Sequence, residues 1–286
     1  MDRFTNAAFT FEVTDTIAGR TGQTGQAGPG DAVIFLHGFP QDRHCWDRVT
    51  SALGGGPYRV LAPDLRGYSP GARPGARSAY RNSQRAADVL ALADAAGAGR
   101  FHLAGHDWGS ALAWYVAGRH PDRVISLATL SVPHPRAFTQ AMVTGSQATR
   151  SWYMAACQLP WLPERVLRRD GGQPFRDVLV RTGLDPASAH RYAARCQDPA
   201  VLRGALNWYR AMPFSLREPA GRIAVPTLFA WGNRDRFVSR SAVRRCAEHV
   251  TGPYTYAELD GVSHWLPEQE PGRVAALLTE HFAAAS

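Results

Sequence analysis

One short segment, Gly105-His106-Asp107-Trp108-Gly109, constrains the fold of this 286-residue chain more than any other. It follows the largely apolar run 100–104 and precedes a helix-like stretch that begins at Ser110. Glycines on both sides of a central polar residue are typical of a tight turn from a strand into a helix, because a Cβ there would collide with neighbouring backbone. The segment therefore predicts a strand, a sharp turn and a helix, with the Asp107 side chain raised above a sheet.

The central residue of this turn is an aspartate, and its chemistry differs from that of a serine in the same place. A carboxylate can attack an sp³ carbon directly and become an ester, whereas a hydroxyl normally attacks carbonyl groups with the help of a base. Asp107 therefore predicts displacement at a saturated carbon, followed by hydrolysis of the enzyme-bound ester.

Short apolar runs alternate with helix-like segments along most of the chain. This alternation predicts an α/β fold, with a mostly parallel sheet covered by helices on both faces. A helix is predicted over 78–96, and a Gly-, Gln- and Thr-rich connection over 19–30. The predicted strands are 9–17, taken as an edge strand, and 32–36, 59–62, 101–104, 124–130, 225–231 and 254–259.

The alternation is interrupted once, between about residues 133 and 218, where only helical patterns occur. We interpret this stretch as a helical cap inserted over the C-terminal ends of the strands, where ligands bind in open α/β sheets. The predicted core is residues 1–132 and 219–286, and the predicted cap is 133–218. The cap helices are predicted at 151–158, 163–168, 175–181, 186–196 and 199–212.

The net charge of +8 does not indicate a nucleic-acid partner. All 32 basic residues are arginines, and they are scattered along the chain without a basic block, which indicates a compositional bias. No apolar run reaches the roughly 20 residues that cross a bilayer, and no signal peptide pattern occurs at the N-terminus. We therefore expect a cytoplasmic protein with no membrane association. A monomer and a homodimer are both compatible with the sequence.

Neither the cysteines nor any cofactor-binding motif in the sequence indicates a bound group. Cys45, Cys157, Cys196 and Cys246 are far apart and lack ligand spacing, so free thiols are expected rather than disulfides or a zinc site. Neither HExxH nor a phosphate-binding glycine loop occurs. The sequence therefore implies no metal and no organic cofactor.

Three residues that follow predicted strands stand in the order nucleophile, acid, histidine. Asp107 is in the turn, Asp235 closes Gly232-Asn233-Arg234-Asp235, and His264 lies in Gly261-Val262-Ser263-His264-Trp265. This order is that of the α/β-hydrolases. Neutral His264 would take a proton from water while Asp235 orients the imidazole. The backbone N–H groups of Phe39 and Trp108 are the expected oxyanion hole.

The chain resembles the α/β-hydrolase-fold epoxide hydrolases over nearly its whole length. The residues that carry the resemblance are His37-Gly38-Phe39-Pro40, Asp64-Leu65-Arg66-Gly67-Tyr68, Gly105-His106-Asp107-Trp108-Gly109, Leu206-Asn207-Trp208-Tyr209-Arg210 and the pair Asp235 and His264. The resemblance implies hydrolysis of a small apolar epoxide by water to a vicinal diol. It also implies that two cap tyrosines, Tyr153 and Tyr209, bind the epoxide oxygen.

Tyrosine suits that role because an alkoxide leaves poorly without a proton, and a phenol of pKa about 10 stays protonated at neutral pH. The side chains expected to contact substrate are Phe39, Trp108, Trp152 and Trp265. The resemblance also suggests a cis peptide bond between Phe39 and Pro40, and His106 is expected to pack or hydrogen-bond beneath the turn.

Two alternatives remain open at this point. A haloalkane dehalogenase uses the same three residues and holds the halide with fixed N–H donors. Trp108 could supply one such donor, but Phe39 has no side-chain donor, and no arginine lies between Asp107 and Arg119 to hold a fluoroacetate-type carboxylate. The second alternative is a degenerate hydrolase that binds a small apolar ligand without turning it over.

Overall fold

The computed structural model describes residues 1–17, 32–54 and 58–285, and these residues contain one eight-stranded sheet. The strand order across the sheet is β1-β2-β4-β3-β5-β6-β7-β8. The strands are β1 Arg3–Asn6, β2 Phe9–Ile17, β3 Ala32–Leu36, β4 Arg59–Pro63, β5 Phe101–His106, β6 Val124–Leu130, β7 Thr227–Gly232 and β8 Tyr254–Leu259.

Most of the sheet is parallel, and the α/β fold predicted from the sequence is confirmed. Strands β4, β3, β5, β6, β7 and β8 pair in parallel, whereas β1 and β2 form an antiparallel hairpin that joins the sheet at β4. The prediction that 9–17 is the edge strand is wrong, because β1 pairs outside it. The turn between them, at Ala7 and Ala8, carries no glycine or proline that would have marked a hairpin.

Helices cover both faces of the sheet and fill the stretch between β6 and β7. The longest is α14, and the shortest have a single turn. The helices are α1 Asp47–Ala52, α2 Asn82–Ala95, α3 Trp108–Arg119, α4 Pro135–Thr144, α5 Gln147–Arg150, α6 Trp152–Ala156, α7 Leu162–Arg168, α8 Gln173–Arg181, α9 Pro186–Arg195, α10 Pro199–Arg210, α11 Met212–Ser215, α12 Arg240–Arg244, α13 Leu266–Gln269 and α14 Pro271–Ala285.

The structure corrects several helix boundaries. The helix predicted over 78–96 is a 3₁₀ turn, Arg77–Tyr80, and then α2, because Arg81 is extended, with ψ at 159°. The elbow helix α3 begins at Trp108, two residues before the predicted start. Residues 133–218, all of which the structure describes, contain helices α4 to α11 and no strand. The connection predicted over 19–30 lies outside the described residues.

The central strands are buried along their whole length, which explains their continuous apolar sequences. Every residue of β3, β5 and β7 is buried, as expected for parallel strands with helices on both faces. Apolar side chains on the two faces form two large clusters. The loops at the C-terminal edge of the sheet therefore follow strands that are packed on both faces.

Three polar contacts fix helices of the predicted cap onto the core. The Trp208 indole Nε1 in α10 donates to the backbone oxygen of Arg66 at 2.7 Å. Arg195 in α9 forms ion pairs of 3.0 Å with Asp42 and with Asp64. All three core partners lie in loops after parallel strands. These contacts set the height of the cap helices above the sheet.

The described residues test the expectations about the cysteines and about membrane-spanning helices. All four cysteines are free thiols, as predicted, and three of them are buried. Among the described helices, none combines the length and the apolar character needed to cross a bilayer.

Candidate active site

The turn around Asp107 has the predicted strained geometry. Asp107 has φ at 52° and ψ at −120°, a region that residues with a side chain rarely occupy. It lies between the end of β5 and the first residue of α3. A Cβ on Gly105 would overlap the Gly109 backbone, and a Cβ on Gly109 would overlap the Leu36 carbonyl. The two glycines therefore let the helix turn back directly onto the sheet.

Three side chains from the ends of three parallel strands meet in one hydrogen-bonded chain. His264, after β8, has its Nε2 3.3 Å from Asp107 Oδ2 and its Nδ1 2.8 Å from Asp235 Oδ2. Asp235 follows β7, and its Oδ1 accepts from the N–H groups of Phe237 and Val238 at 2.7 and 3.0 Å. The structure thus brings together the three residues that the sequence singled out, with Asp235 fixed by backbone donors.

The charges of these groups depend on one another. Burial alone favours a neutral Asp107 carboxyl, but the hydrogen bond and charge of His264 hold the pKa of Asp107 below its usual value. Burial also opposes the imidazolium, yet the Asp235 and Asp107 carboxylates raise the pKa of His264 to about 10. At neutral pH the resting site therefore holds an ionised Asp107 beside a protonated His264. Loss of the charge on Asp107 would lower the pKa of His264.

One backbone N–H group contacts the Asp107 carboxyl group, and the N–H of the next residue in the chain is free of helical hydrogen bonds. Phe39 N–H donates to Asp107 Oδ1 at 2.8 Å. Trp108 is the first residue of α3, so its N–H has no acceptor within the helix. The Phe39-Pro40 peptide is cis, as expected. This arrangement offers an oxyanion two donors at the place where an Asp107 ester would be attacked.

Tyr153 in α6 and Tyr209 in α10 lie next to each other in an edge-to-face contact. Their ring centroids are 6.1 Å apart, with the ring planes at 74°. Burial, with a contribution from the Asp107 charge, raises the pKa of both phenols well above the usual value. Both therefore stay protonated and can donate. The Trp108 ring packs edge-on against the Tyr209 ring, with the ring centroids 5.0 Å apart.

The local sequence around Tyr209 explains how it is held. Arg210 binds Glu164 through two hydrogen bonds of 2.6 and 2.9 Å, and also donates to backbone oxygens of Cys157 and Leu159. The Gln158 amide donates to the Tyr209 carbonyl at 2.7 Å. These contacts join α10 to the segment that follows Tyr153, so the two tyrosines are positioned as a pair.

A cavity of about 570 Å³ lies between the sheet and the helices above it. Of the predicted site residues, Asp107, Trp108, Tyr153, Tyr209 and His264 line it. The other side chains in its wall are mostly apolar, and they are Asn82, Arg85, Ala111, Tyr115, Val132, Pro135, Arg136, Phe138, Thr139, Gln140, Met154, Met212, Ser215, Leu216, Glu218, Pro219, Ala220, Phe237 and Val238.

Three aromatic residues expected to contact substrate lie outside that wall. Trp152 is 71% exposed, because it precedes Tyr153 in a short helix and points about 100° away from it. Trp265 is buried behind the imidazole, with its ring 5.3 Å from that of His264 and its Nε1 donating to Thr182. The Phe39 ring packs edge-on against Tyr209 at 5.4 Å. Trp152 thus lies on the surface, while Trp265 and the Phe39 ring pack against His264 and Tyr209.

His106 lies beneath the turn, as predicted. Its Nε2 contacts the His264 carbonyl oxygen at 2.8 Å, and its Nδ1 lies 2.7 Å from the Gln41 side-chain oxygen. Burial lowers the pKa of His106 to about 4, so the ring is neutral at physiological pH. His106 therefore stabilises the loop that carries His264.

Sequence reasoning missed several residues of the cavity wall, above all Arg85, Phe138 and Phe237. Arg85 is one of 32 arginines, and no local pattern distinguishes it. Phe138 and Phe237 stand in segments without a recognisable motif. Within the described ranges, no three His, Cys, Asp or Glu side chains cluster in a way that could hold a metal ion.

Comparisons with known proteins agree with this geometry. Residues 31–271 match the alpha/beta hydrolase fold. Epoxide hydrolase A of Mycobacterium tuberculosis is 34% identical over 294 aligned positions, covering 88% of this chain and 90% of the relative. The crystal structure of epoxide hydrolase A from Mycobacterium thermoresistibile superimposes with a TM-score of 0.74 and 30% identity, covering 96% of this chain and 94% of the other.

A dehalogenase matches over a shorter span. The fluoroacetate dehalogenase of a Burkholderia species is 35% identical, but the match covers only 64% of this chain and 63% of the dehalogenase. The two epoxide hydrolases described above match over most of both chains. This chain belongs to the epoxide hydrolase family of the α/β-hydrolase fold.

Proposed function

We propose that this protein hydrolyses an epoxide to a vicinal diol through a covalent ester of Asp107. The observation that carries the proposal is that an ionised carboxylate and two protonated phenols face one cavity. A nucleophile and a proton donor on opposite sides of a ligand are what ring opening requires.

In the first step, Asp107 Oδ attacks a ring carbon and the carbon–oxygen bond of the epoxide breaks. The electron pair goes to the ring oxygen, which takes a proton from Tyr153 or Tyr209. A buried phenolate is unfavourable, so the phenol regains its proton at the expense of the imidazolium of His264. The products of this step are an uncharged ester and a neutral imidazole.

In the second step, the neutral His264 takes a proton from water as the water oxygen attacks the carbonyl carbon of the Asp107 ester. The tetrahedral oxyanion accepts hydrogen bonds from the Phe39 and Trp108 N–H groups. The ester bond breaks, the diol oxygen leaves with a proton from His264, and the new Asp107 carboxyl returns its proton to the imidazole. The resting charges are restored.

The halide-binding alternative is weaker in this site. A halide would need two free N–H donors beside the nucleophile, but Phe39 offers only its backbone N–H, which donates to Asp107 Oδ1. Release of halide from bromoalkanes by the Tyr209→Phe variant, at rates above the epoxide turnover of the parent, would favour a dehalogenase.

Single turnover in ¹⁸O-labelled water tests the proposal. With enzyme in excess, the oxygen that enters the ring carbon comes from Asp107, so the first diol carries no label and the label appears in the Asp107 carboxyl group. Label in the first diol would reject the ester mechanism. An Asp107→Ala variant serves as the control for uncatalysed hydrolysis, and a parent protein that forms no diol from any epoxide would reject the activity itself.

A further inference from the structure

Arg85 is a buried cation in the wall of the active-site cavity. It lies in the first turn of α2 and is 3% exposed. Its Nη2 donates to the Asn82 side-chain oxygen and, at 3.4 Å, to the Ser215 hydroxyl. Both partners also line the cavity. The guanidinium is therefore held in place by neutral groups of the same wall.

No carboxylate of the described residues forms an ion pair with Arg85. The nearby Asp88 is bound by Arg66 through two hydrogen bonds of 2.8 and 2.6 Å. Glu218 accepts from the backbone and the hydroxyl of Ser83 at 2.8 and 3.0 Å. Two Arg85 donors, Nε and Nη1, are buried with no hydrogen-bond partner in the described part of the chain. Unpaired buried donors are costly unless a ligand satisfies them.

The charge of Arg85 is incompletely compensated. Burial lowers the pKa of Arg85 to about 9, although the charges of Glu218 and Asp88 oppose the shift. The guanidinium is still positive at neutral pH. It also lies 4.1 Å from the ring centroid of Trp208, a contact that favours the cation without satisfying its N–H groups.

Arg85 lies close to the residue that follows the nucleophile. Its guanidinium carbon is 5.8 Å from the ring centroid of Trp108, and the Tyr209 ring is 5.0 Å from the same indole. Trp108 follows Asp107 directly. The wall of one cavity therefore carries both the reacting groups and a buried cation, and the Trp108 ring lies close to Tyr209 and to the Arg85 guanidinium.

We propose that Arg85 binds a carboxylate at the far end of the substrate, so that the preferred substrates are elongated epoxides with an anionic group beyond a short apolar spacer. The inference rests on the proposed epoxide hydrolysis and names the substrate class for it. A carboxylate would neutralise the buried cation and accept from donors that the protein leaves unpaired. The spacer would cover the Trp108 ring while the epoxide meets Asp107 and the two tyrosines.

Terminal epoxides of increasing chain length test the proposal, each as the free carboxylate and as its methyl ester. The parent should prefer the carboxylate in kcat/KM by about 10- to 100-fold at the chain length that reaches from Asp107 to Arg85, the range given by charge-assisted hydrogen bonds. Arg85→Met keeps the apolar stem and should abolish this preference. Equal kcat/KM for acid and ester in the parent at every length would overturn the proposal.

Arg136→Met is the matched control, because Arg136 also lines the cavity but is exposed. Its charge is screened by water, so this variant should retain most of the preference for the carboxylate. A preference that survives Arg85→Met and disappears in Arg136→Met would refute the assignment to Arg85.

A measurement on the parent alone keeps the test decisive if Arg85→Met does not fold. Alkyl carboxylates should inhibit turnover of a neutral epoxide at concentrations at least about tenfold lower than alcohols of the same length. Equal inhibition would overturn the carboxylate site while the hydrolase activity stands. Preferential binding of carboxylates by a protein that forms no diol would instead support the Arg85 site and reject the proposed hydrolysis.

Discussion

Replacing Tyr209 by phenylalanine removes one proposed proton donor and leaves the aromatic packing intact. The ring contacts to Phe39 and Trp108 do not involve the phenol oxygen. Tyr209 is 3% exposed, so bulk water does not readily take the place of the hydroxyl. One donor to a developing oxyanion in such a site contributes about 2.7–4 kcal/mol, which corresponds to about 100- to 1000-fold in rate. Tyr209→Phe should slow ester formation by that factor.

Rapid mixing of excess enzyme with an epoxide, followed by acid quench and intact-mass measurement, gives the rate of ester formation directly. Tyr80→Phe is the matched control. Tyr80 is also fully buried, but its hydroxyl donates to the Pro74 carbonyl at 3.0 Å, away from the cavity wall. This variant should lose about 1 kcal/mol of stability and keep the rate of ester formation.

A folded Tyr209→Phe variant that forms the ester as fast as the parent would refute the reasoning. The same outcome in Tyr153→Phe would show that neither phenol donates to the ring oxygen. A slow Tyr209→Phe with an equally slow Tyr80→Phe would point to a general loss of cap packing and would also reject the assignment.

His264→Gln should form the Asp107 ester but fail to hydrolyse it, so the intact mass of the protein should rise by the mass of one substrate; a variant that turns over repeatedly would contradict the role of the imidazole. Asp107→Asn should lower the pKa of His264 from about 10, because one of the two carboxylates that raise it is lost. The imidazole should then become neutral at a lower pH, and an NMR titration that finds no change would disprove the coupling. Gly109→Ala should cost about 1–3 kcal/mol in urea unfolding and impair ester formation, since its Cβ would overlap the Leu36 carbonyl. Gly99→Ala, whose Cβ would meet no atom within 4 Å, is the control, and equal stability of the two variants would show that the turn tolerates a side chain.

The order of the strands along the chain and the residues that follow them were readable from local sequence. The fully buried strands β3, β5 and β7 carry continuous apolar runs, and the glycines around Asp107 follow from a steric requirement of the turn itself. Because the C-terminal ends of parallel strands share one edge of the sheet, Asp107, Asp235 and His264 were expected to meet. The pattern that identifies them needs no knowledge of distant contacts.

The orientation of individual side chains in the cavity could not be read in the same way. Trp152 and Tyr153 are adjacent and both aromatic, yet one is 71% exposed and the other lines the cavity. Which of two neighbours points inward depends on how a short helix docks, and that is fixed by distant partners such as Arg210 and Glu164. The hairpin that places β1 at the sheet edge was missed for the same reason, since its turn has no sequence signal.

The sequence by itself therefore determined the parallel sheet, the aspartate at the turn and the order of the proposed catalytic residues, because each follows from short-range stereochemistry or from strand direction. Only the tertiary structure decided that Trp265 packs against the imidazole and that the Trp108 ring packs edge-on against Tyr209. It alone also decided that one arginine among 32 stands unpaired in the cavity wall. These features depend on contacts between segments that are far apart in the chain. A buried charge with unpaired donors can be identified only when the folded positions of the surrounding residues are known.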